Sequence, residues 1–315
     1  MAIAGTATVT LTFVGLPSAS AEETIESTAA IVAEAVPDQR EVAPLTFQDG
    51  ALTSSTKQAA VTAPTDPGNP ITIFGQGAAL GSTIEVSLPA DLDLEPGKVA
   101  SDGTLVYVGS ANEADAAVQP LTDGSVRLQT VIPSEAASHG FTYTFSDDLS
   151  LTQEDDGSVS VVRNLSGTTV TIGQIDPAWS FDAAGAPVET RYIAESNRLT
   201  QIVTPAASSA YPIVADPTIS FGVGTYYHFN RAETKTLAQY GVEGTVGVTA
   251  GCAALGTMLG PAGTAVAGTV CAAYAAPFFF QAGVAENSSP KRCVYTRIVG
   301  LTWWIPGTYK DSRCK

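Results

Sequence analysis

A run of 41 residues, Thr245 to Ala285, contains no charged side chain and is stocked with Gly, Ala and Val, with Phe278-Phe279-Phe280 near its end. Such a stretch has to be covered, either by its own domain or by lipid. Pro261-Ala262-Gly263 interrupts it near the middle, so the pattern predicts a Gly/Ala-rich helical hairpin: two apolar helices joined by a turn. Cys252 and Cys271 lie equidistant from that turn. In an antiparallel hairpin such positions face each other, which brings the two thiols together. Gly247 with Gly251 and Gly256 with Gly260 form G-x-x-x-G pairs, extended by Gly263 and Gly268, that let two helix backbones approach closely. Pro277 is expected to kink or end the second arm before the Phe run. A spanning helix needs ~20 apolar residues, and the prolines leave arms shorter than that.

Before the run, Asn230-Arg231-Ala232-Glu233 has the pattern of a capping box, with Asn230 accepting from the Glu233 N–H and Glu233 reaching back. A helix starting there threads Leu237, Tyr240, Val248, Cys252 and Leu255 on its apolar side, weakened by Gly241, Gly244 and Gly247. After the run, Lys291 to Lys315 reads as a two-stranded ribbon with a Pro306-Gly307 turn, and it interleaves aromatics with cations. Arg297, Trp303, Trp304, Lys310 and Arg313 are its expected interaction residues, for a protein or a membrane surface.

All four cysteines, Cys252, Cys271, Cys293 and Cys314, fall in the last quarter, and none forms a C-x-x-C pair, so neither a metal site nor a redox motif is expected. Their even number predicts two disulfides. The spacing favours 252 with 271 and 293 with 314, and the crossed pairings stay open. Disulfides need an oxidising compartment. Met1 to Ala21 fits a signal peptide, with an uncharged, mildly apolar Ala2 to Leu16 and a small-residue Ala19-Ser20-Ala21 cleavage pattern, although no Lys or Arg precedes it. The same stretch, with its threonines, also fits a first strand. A secreted, extracellular protein is the expectation.

Charge divides the chain. Residues 1–230 hold 7 Lys or Arg against 27 Asp or Glu, and residues 231–315 hold 8 against 4. An acidic body repels phosphate, which argues against a nucleic-acid partner. Residues 22–69, rich in Ala, Glu and Thr and broken by Pro37, Pro44, Pro64 and Pro67, are expected to be a largely disordered linker with at most one short helix over 22–35.

From Pro70 the pattern changes to short β-branched and aromatic runs: Ile71 to Phe74, Thr83 to Leu88, Thr104 to Val108, Val126 to Ile132 and Phe141 to Phe145. Asp102-Gly103-Thr104, Asp123-Gly124-Ser125 and Asp156-Gly157-Ser158 repeat one turn chemistry between them. Strand signals continue through Val159 to Ile175, Tyr192-Ile193, Leu199 to Val203 and Tyr211 to Val214. The absence of βαβ alternation points to a β-sandwich or β-meander over 70–217, followed by a small α+β, disulfide-stapled domain over 218–315.

The segment from Phe141 to Pro217, with Ile175-Asp176-Pro177-Ala178-Trp179, Leu199-Thr200-Gln201-Ile202-Val203 and Tyr211-Pro212-Ile213-Val214-Ala215-Asp216-Pro217, resembles the β-rich region of exported actinobacterial proteins that ends in a YPIVADP-type motif. The resemblance implies export and a presentation module ahead of C-terminal domains of varied kind. It implies no activity, because the function of that group is itself unassigned.

Catalytic chemistry has little to stand on. His139 and His228 are the two histidines, and neither sits in a nucleophile or metal motif. The carboxylates at Asp147-Asp148, at Glu154-Asp155-Asp156 and around Asp91, Asp93 and Glu95 read as solvated turns and lack the order of a calcium loop. No cofactor is expected, and nothing speaks to oligomeric state. The expectation is a non-catalytic interaction or presentation protein. The alternative is a bacteriocin-like or toxin-like effector whose cationic C-terminal unit acts on membranes once cut free near Asp216-Pro217.

Overall fold

The structure is a computed structural model that describes residues 18–38, 40–48, 51–79, 81–110, 112–165, 168–221, 225–241, 250–255, 260–299, 303–310 and 313–315. It is mainly β, with a disulfide-stapled α+β unit at the C-terminal end. Two sheets face each other. The smaller has eight strands in the order β1 (Thr46–Gln48), β2 (Ala51–Ser55), β3 (Ala59–Ala63), β4 (Ile71–Gly75), β5 (Thr83–Ser87), β10 (Gly140–Phe145), β16 (Arg198–Thr204) and β15 (Glu189–Glu195). Its strands alternate in the way a sheet covered on one side demands: Val61, Ile71, Ile73, Ile84, Val86, Phe141, Tyr143 and Leu199 are buried, and their neighbours along each strand are more exposed.

Among the described residues, the larger sheet has 13 strands. Its main path runs β6 (Lys98–Val99), β7 (Leu105–Tyr107), β8 (Asp115–Pro120), β9 (Val126–Ile132), β18 (Thr218–Ser220), β13 (Thr168–Ile175), β19 (Thr225–His228), β20 (Cys293–Val299) and β21 (Trp303–Tyr309). Beside this path, β11 (Leu149–Gln153) pairs with β12 (Val159–Leu165), which pairs with β13, while β14 (Ser180–Phe181) pairs with β17 (Ile213–Ala215), which pairs with β9. Leu105, Val118, Leu128, Val159, Val161, Ile172, Ile175, Ile213 and Ile219 meet the small sheet in one core.

The Asp-Gly turns do what their chemistry predicts. Gly103, Gly124 and Gly157 adopt φ of +91°, +86° and +87°, and in each turn the Asp side chain accepts the N–H two residues on, from Thr104, Ser125 and Ser158.

Residues 22–69 are not a disordered linker. Helix α1 (Ser18–Ala35) lies across the outer face of the large sheet, where Ile25, Ala29 and Val32 bury against Ala100, Val106, Ala117, Val131 and Val214. Its narrow apolar stripe suffices because the sheet supplies the other half of the contact. Ala21, the expected cleavage position, falls in its first turn. Next, Asp38 and Arg40 pin the chain to the sheet through Arg127, which is 1% exposed, and through Asp176. Then β1, β2 and β3 join the small sheet, and the prolines fall between elements. Covered on both faces, β9 is buried along its whole length.

The boundary expected at Pro217 is also displaced. Strand β18 follows directly and pairs with β9 and β13, and Ile219 and Phe221 still belong to the sandwich core. A second core begins at Phe229, and Tyr227 packs against both. Through β19, which pairs with β13 on one side and β20 on the other, the C-terminal unit is an extension of the large sheet.

Candidate functional site

The C-terminal unit is built around one contact between helices and ribbon. Helix α2 (Arg231–Tyr240) opens with the expected capping box: the Glu233 N–H donates to Asn230 Oδ1 at 2.9 Å, and the Asn230 N–H donates to Glu233 Oε2 at 2.8 Å. It ends at Gly241 rather than running on to Cys252. Residues 250–255 are helical, here α3, and α4 (Gly260–Asn287) comes after them. The expected turn at Pro261 is instead the start of α4, where the missing N–H of proline costs nothing. Pro277 neither ends nor divides α4, because Phe278, Phe279, Ala282 and Ala285 beyond it are buried against α2 and the ribbon. At roughly 1.5–3 kcal/mol per large buried side chain, that contact outweighs one lost helical hydrogen bond.

The disulfides pair Cys252 with Cys271, tying α3 to α4, and Cys293 with Cys314, closing the ribbon's end. Two of the glycines permit close approach: a Cβ on Gly241 would sit 3.1 Å from the Phe279 carbonyl oxygen, and one on Gly251 would run into the Phe279 ring. Gly244, Gly247 and Val248 and the Gly256 position lie outside the described residues. Two disulfides indicate an oxidising or extracellular environment. Among the described residues, no helix is long and apolar enough to cross a membrane.

The five expected interaction residues do not form one exposed surface. Trp304 is buried, inside the second core with Phe278, Phe279 and Val294. Arg313 is mostly buried and forms an ion pair with Glu154 at 3.5 Å. Arg297 is half-buried and stacks over the Tyr226 ring, 5.4 Å from its centroid. Lys310 is exposed, and the Trp303 backbone pairs with Val299. The ribbon has two faces, and the helices take the one carrying Val294, Thr296 and Trp304. Its other face holds an aromatic group missed in the sequence: His228 lies 4.9 Å from Tyr309, 5.8 Å from Tyr295 and 6.1 Å from Tyr226, centroid to centroid. The alternation of Tyr226, His228, Tyr295 and Arg297 along two strands was the available signal.

At one end of the sandwich two loops, 133–139 and 205–212, form an open cleft of about 600 Å³. His139 Nε2 and the Tyr211 hydroxyl are 2.9 Å apart across it. Burial, and after it the negative charge of Glu135, push the Tyr211 phenol up. The second loop is held from behind: Asp182 accepts the N–H groups of Ala184, Ala186 and Ala210, and the bond from Ala210, then that from Ala186, holds its carboxyl below the usual range. In the sequence His139 stands in no motif that marks it. That it meets Tyr211 is fixed by the pairing of β17 with β9, which carries the two loops to the same end.

Deeper in the sandwich, Asp216 is fully buried. Its Oδ1 accepts the Trp179 N–H at 3.0 Å and Gln201 Nε2 at 3.1 Å. Burial pushes this carboxyl up to about 7. The Tyr192 hydroxyl lies beside it without reaching hydrogen-bond geometry.

No family model and no curated protein matches the chain. Among solved structures, a heparan sulfate lyase HepC mutant from Pedobacter heparinus aligns with 64% of this chain at 10% identity and a TM-score of 0.34. The alignment spans 40% of the length of that lyase. A likeness of that size bears on neither fold nor chemistry. Among the described residues, no group of three or more His, Cys, Asp or Glu side chains is placed to hold a metal ion.

Proposed function

We propose that the protein is a secreted, non-catalytic interaction protein whose β-sandwich carries and presents the C-terminal disulfided unit as a fixed extension. The observation that supports this is the unbroken ladder from β13 through β19 to β20. A carrier meant to release its cargo would place the cut in an exposed hinge. Here Asp216 and Thr218, on either side of Pro217, are both fully buried, and the Leu128 N–H donates to the Pro217 carbonyl. The membrane-active alternative draws on one observation, the outward-facing Phe280 and Val284 of α4, 67% and 44% exposed.

Limited proteolysis of the oxidised full chain tests the choice, read by mass spectrometry and by dye release from anionic vesicles. A presentation protein resists cleavage over residues 205–230, and its digest leaves vesicles intact. A discrete C-terminal fragment that releases dye would replace this reading with the effector.

A further inference from the structure

The cleft at the end of the sandwich has a chemistry that neither the ribbon nor the presentation reading uses. Glu135 is exposed on one loop, while His139 and Tyr211 are half-buried and bonded to each other, so the tyrosine ring is fixed. Ser209 is held within its own loop, accepting the Ala206 N–H at 3.0 Å, and Ala206 and Ala207 are too small to fill the space. Among the described residues no Lys or Arg lines the cleft. A carboxylate ligand or a phosphate would therefore meet Glu135 with no Lys or Arg to offset the repulsion. Residues 1–230 add the field of 27 acidic against 7 basic side chains, which draws cations in and keeps anions out. A fixed aromatic face beside a carboxylate attracts a positive charge on an apolar stem, the ring through its quadrupole and the carboxylate by direct pairing. One carboxylate is too few oxygen ligands for a calcium or magnesium ion.

We propose that this cleft binds an alkylammonium group, taken between the Glu135 carboxylate and the face of Tyr211. His139 acts as a positioning residue that holds the tyrosine in place. The ammonium comes either from a lysine side chain of a basic peptide or from a free amine. The site is independent of how the C-terminal unit is used, because it lies at the end of the sandwich formed by the β9–β10 and β16–β17 connections.

Calorimetric titration of the full oxidised chain at pH 8 tests this, with n-butylammonium, N-acetyl-lysine methylamide and a tetralysine peptide as probes and N-acetyl-norleucine methylamide as the uncharged control. The charged probes are expected to bind saturably and the control at least tenfold more weakly. Glu135→Gln, at an exposed position, is expected to weaken the charged probes by tenfold or more without moving the urea midpoint; Tyr211→Leu is expected to weaken them as much, with a lower urea midpoint because Tyr211 also packs against the core. Tetralysine binding at least tenfold tighter than butylammonium supports a peptide source, and equal binding supports a free amine. Equal affinity for the lysine and norleucine probes, unchanged binding in Glu135→Gln, or no saturable binding by any charged probe would overturn the proposal.

Discussion

Replacing Asp216 by Asn isolates the energetic consequence of an acid kept inside the sandwich. With the folded carboxyl raised to about 7 from an ordinary 3.8, the native protein holds this proton through a range in which the unfolded chain has released it. Its contribution to stability is fully present below pH ~4 and is lost as pH rises to ~7, at about 1.4 kcal/mol per pH unit. The loss is complete by pH 8 and comes to about 4 kcal/mol. Asn keeps the oxygen that accepts the Trp179 N–H and Gln201 Nε2, and it cannot ionise.

Wild type and Asp216→Asn should therefore be close in stability at pH 4 and differ by about 4 kcal/mol at pH 8, with the variant the more stable. Urea unfolding at fixed pH values, followed by tryptophan fluorescence and with both disulfides intact, measures the difference. Asp38, Asp148, Asp182 and Glu286, all lowered by their partners, impose an opposite pH slope on both proteins, and this cancels in the comparison. A difference that stays constant between pH 4 and pH 8 would refute the reasoning, because it would mean that Asp216 is equally ionised in both states.

Other changes probe the C-terminal unit. Gly251→Ala pushes a methyl into the buried Phe279 ring and should destabilise the unit by about 1–3 kcal/mol, seen as a lower urea midpoint. Asn230→Ala removes the capping box of α2 and should cost about 1 kcal/mol, measurable as faster amide exchange in the first turn of α2. Replacing Cys293 and Cys314 together by Ser opens a link across 21 residues and should cost roughly 3 kcal/mol, with the loss read from thermal melts. Asp38→Ala leaves the Arg127 guanidinium buried without its carboxylate and should cost about 3–5 kcal/mol, with the segment after α1 becoming sensitive to protease.

Features set by neighbours along the chain could be read from the sequence. The Asp-Gly turns and the Asn230–Glu233 box each depend on a handful of adjacent residues, and the structure has them where the sequence put them; the Cys252–Cys271 pair forms as expected, but not across a turn at Pro261. Elements whose stability comes from distant partners were not legible. Strand β3 reads Ala-Ala-Val-Thr-Ala and β8 reads Asp-Ala-Ala-Val-Gln-Pro, neither with much strand preference, and both are held by the strands beside them. Helix α1 needed the outer face of a sheet whose contacting residues, from Ala100 to Val214, come from strands and turns far along the chain. Trp304 shows a further limit. Period-two alternation separates the faces of the ribbon, but only the placement of α4 decides which face is the inside.

Pro306 sits in β21, paired with Thr296, at the outer edge of the 13-stranded sheet. A sheet that grows by adding strands to carry a second unit outward also lengthens the ladder on which a stray strand can dock, the route by which β proteins come to polymerise. A proline on the last strand interrupts the row of donors that such docking needs. The extension that holds the C-terminal unit in place thus carries its own terminator.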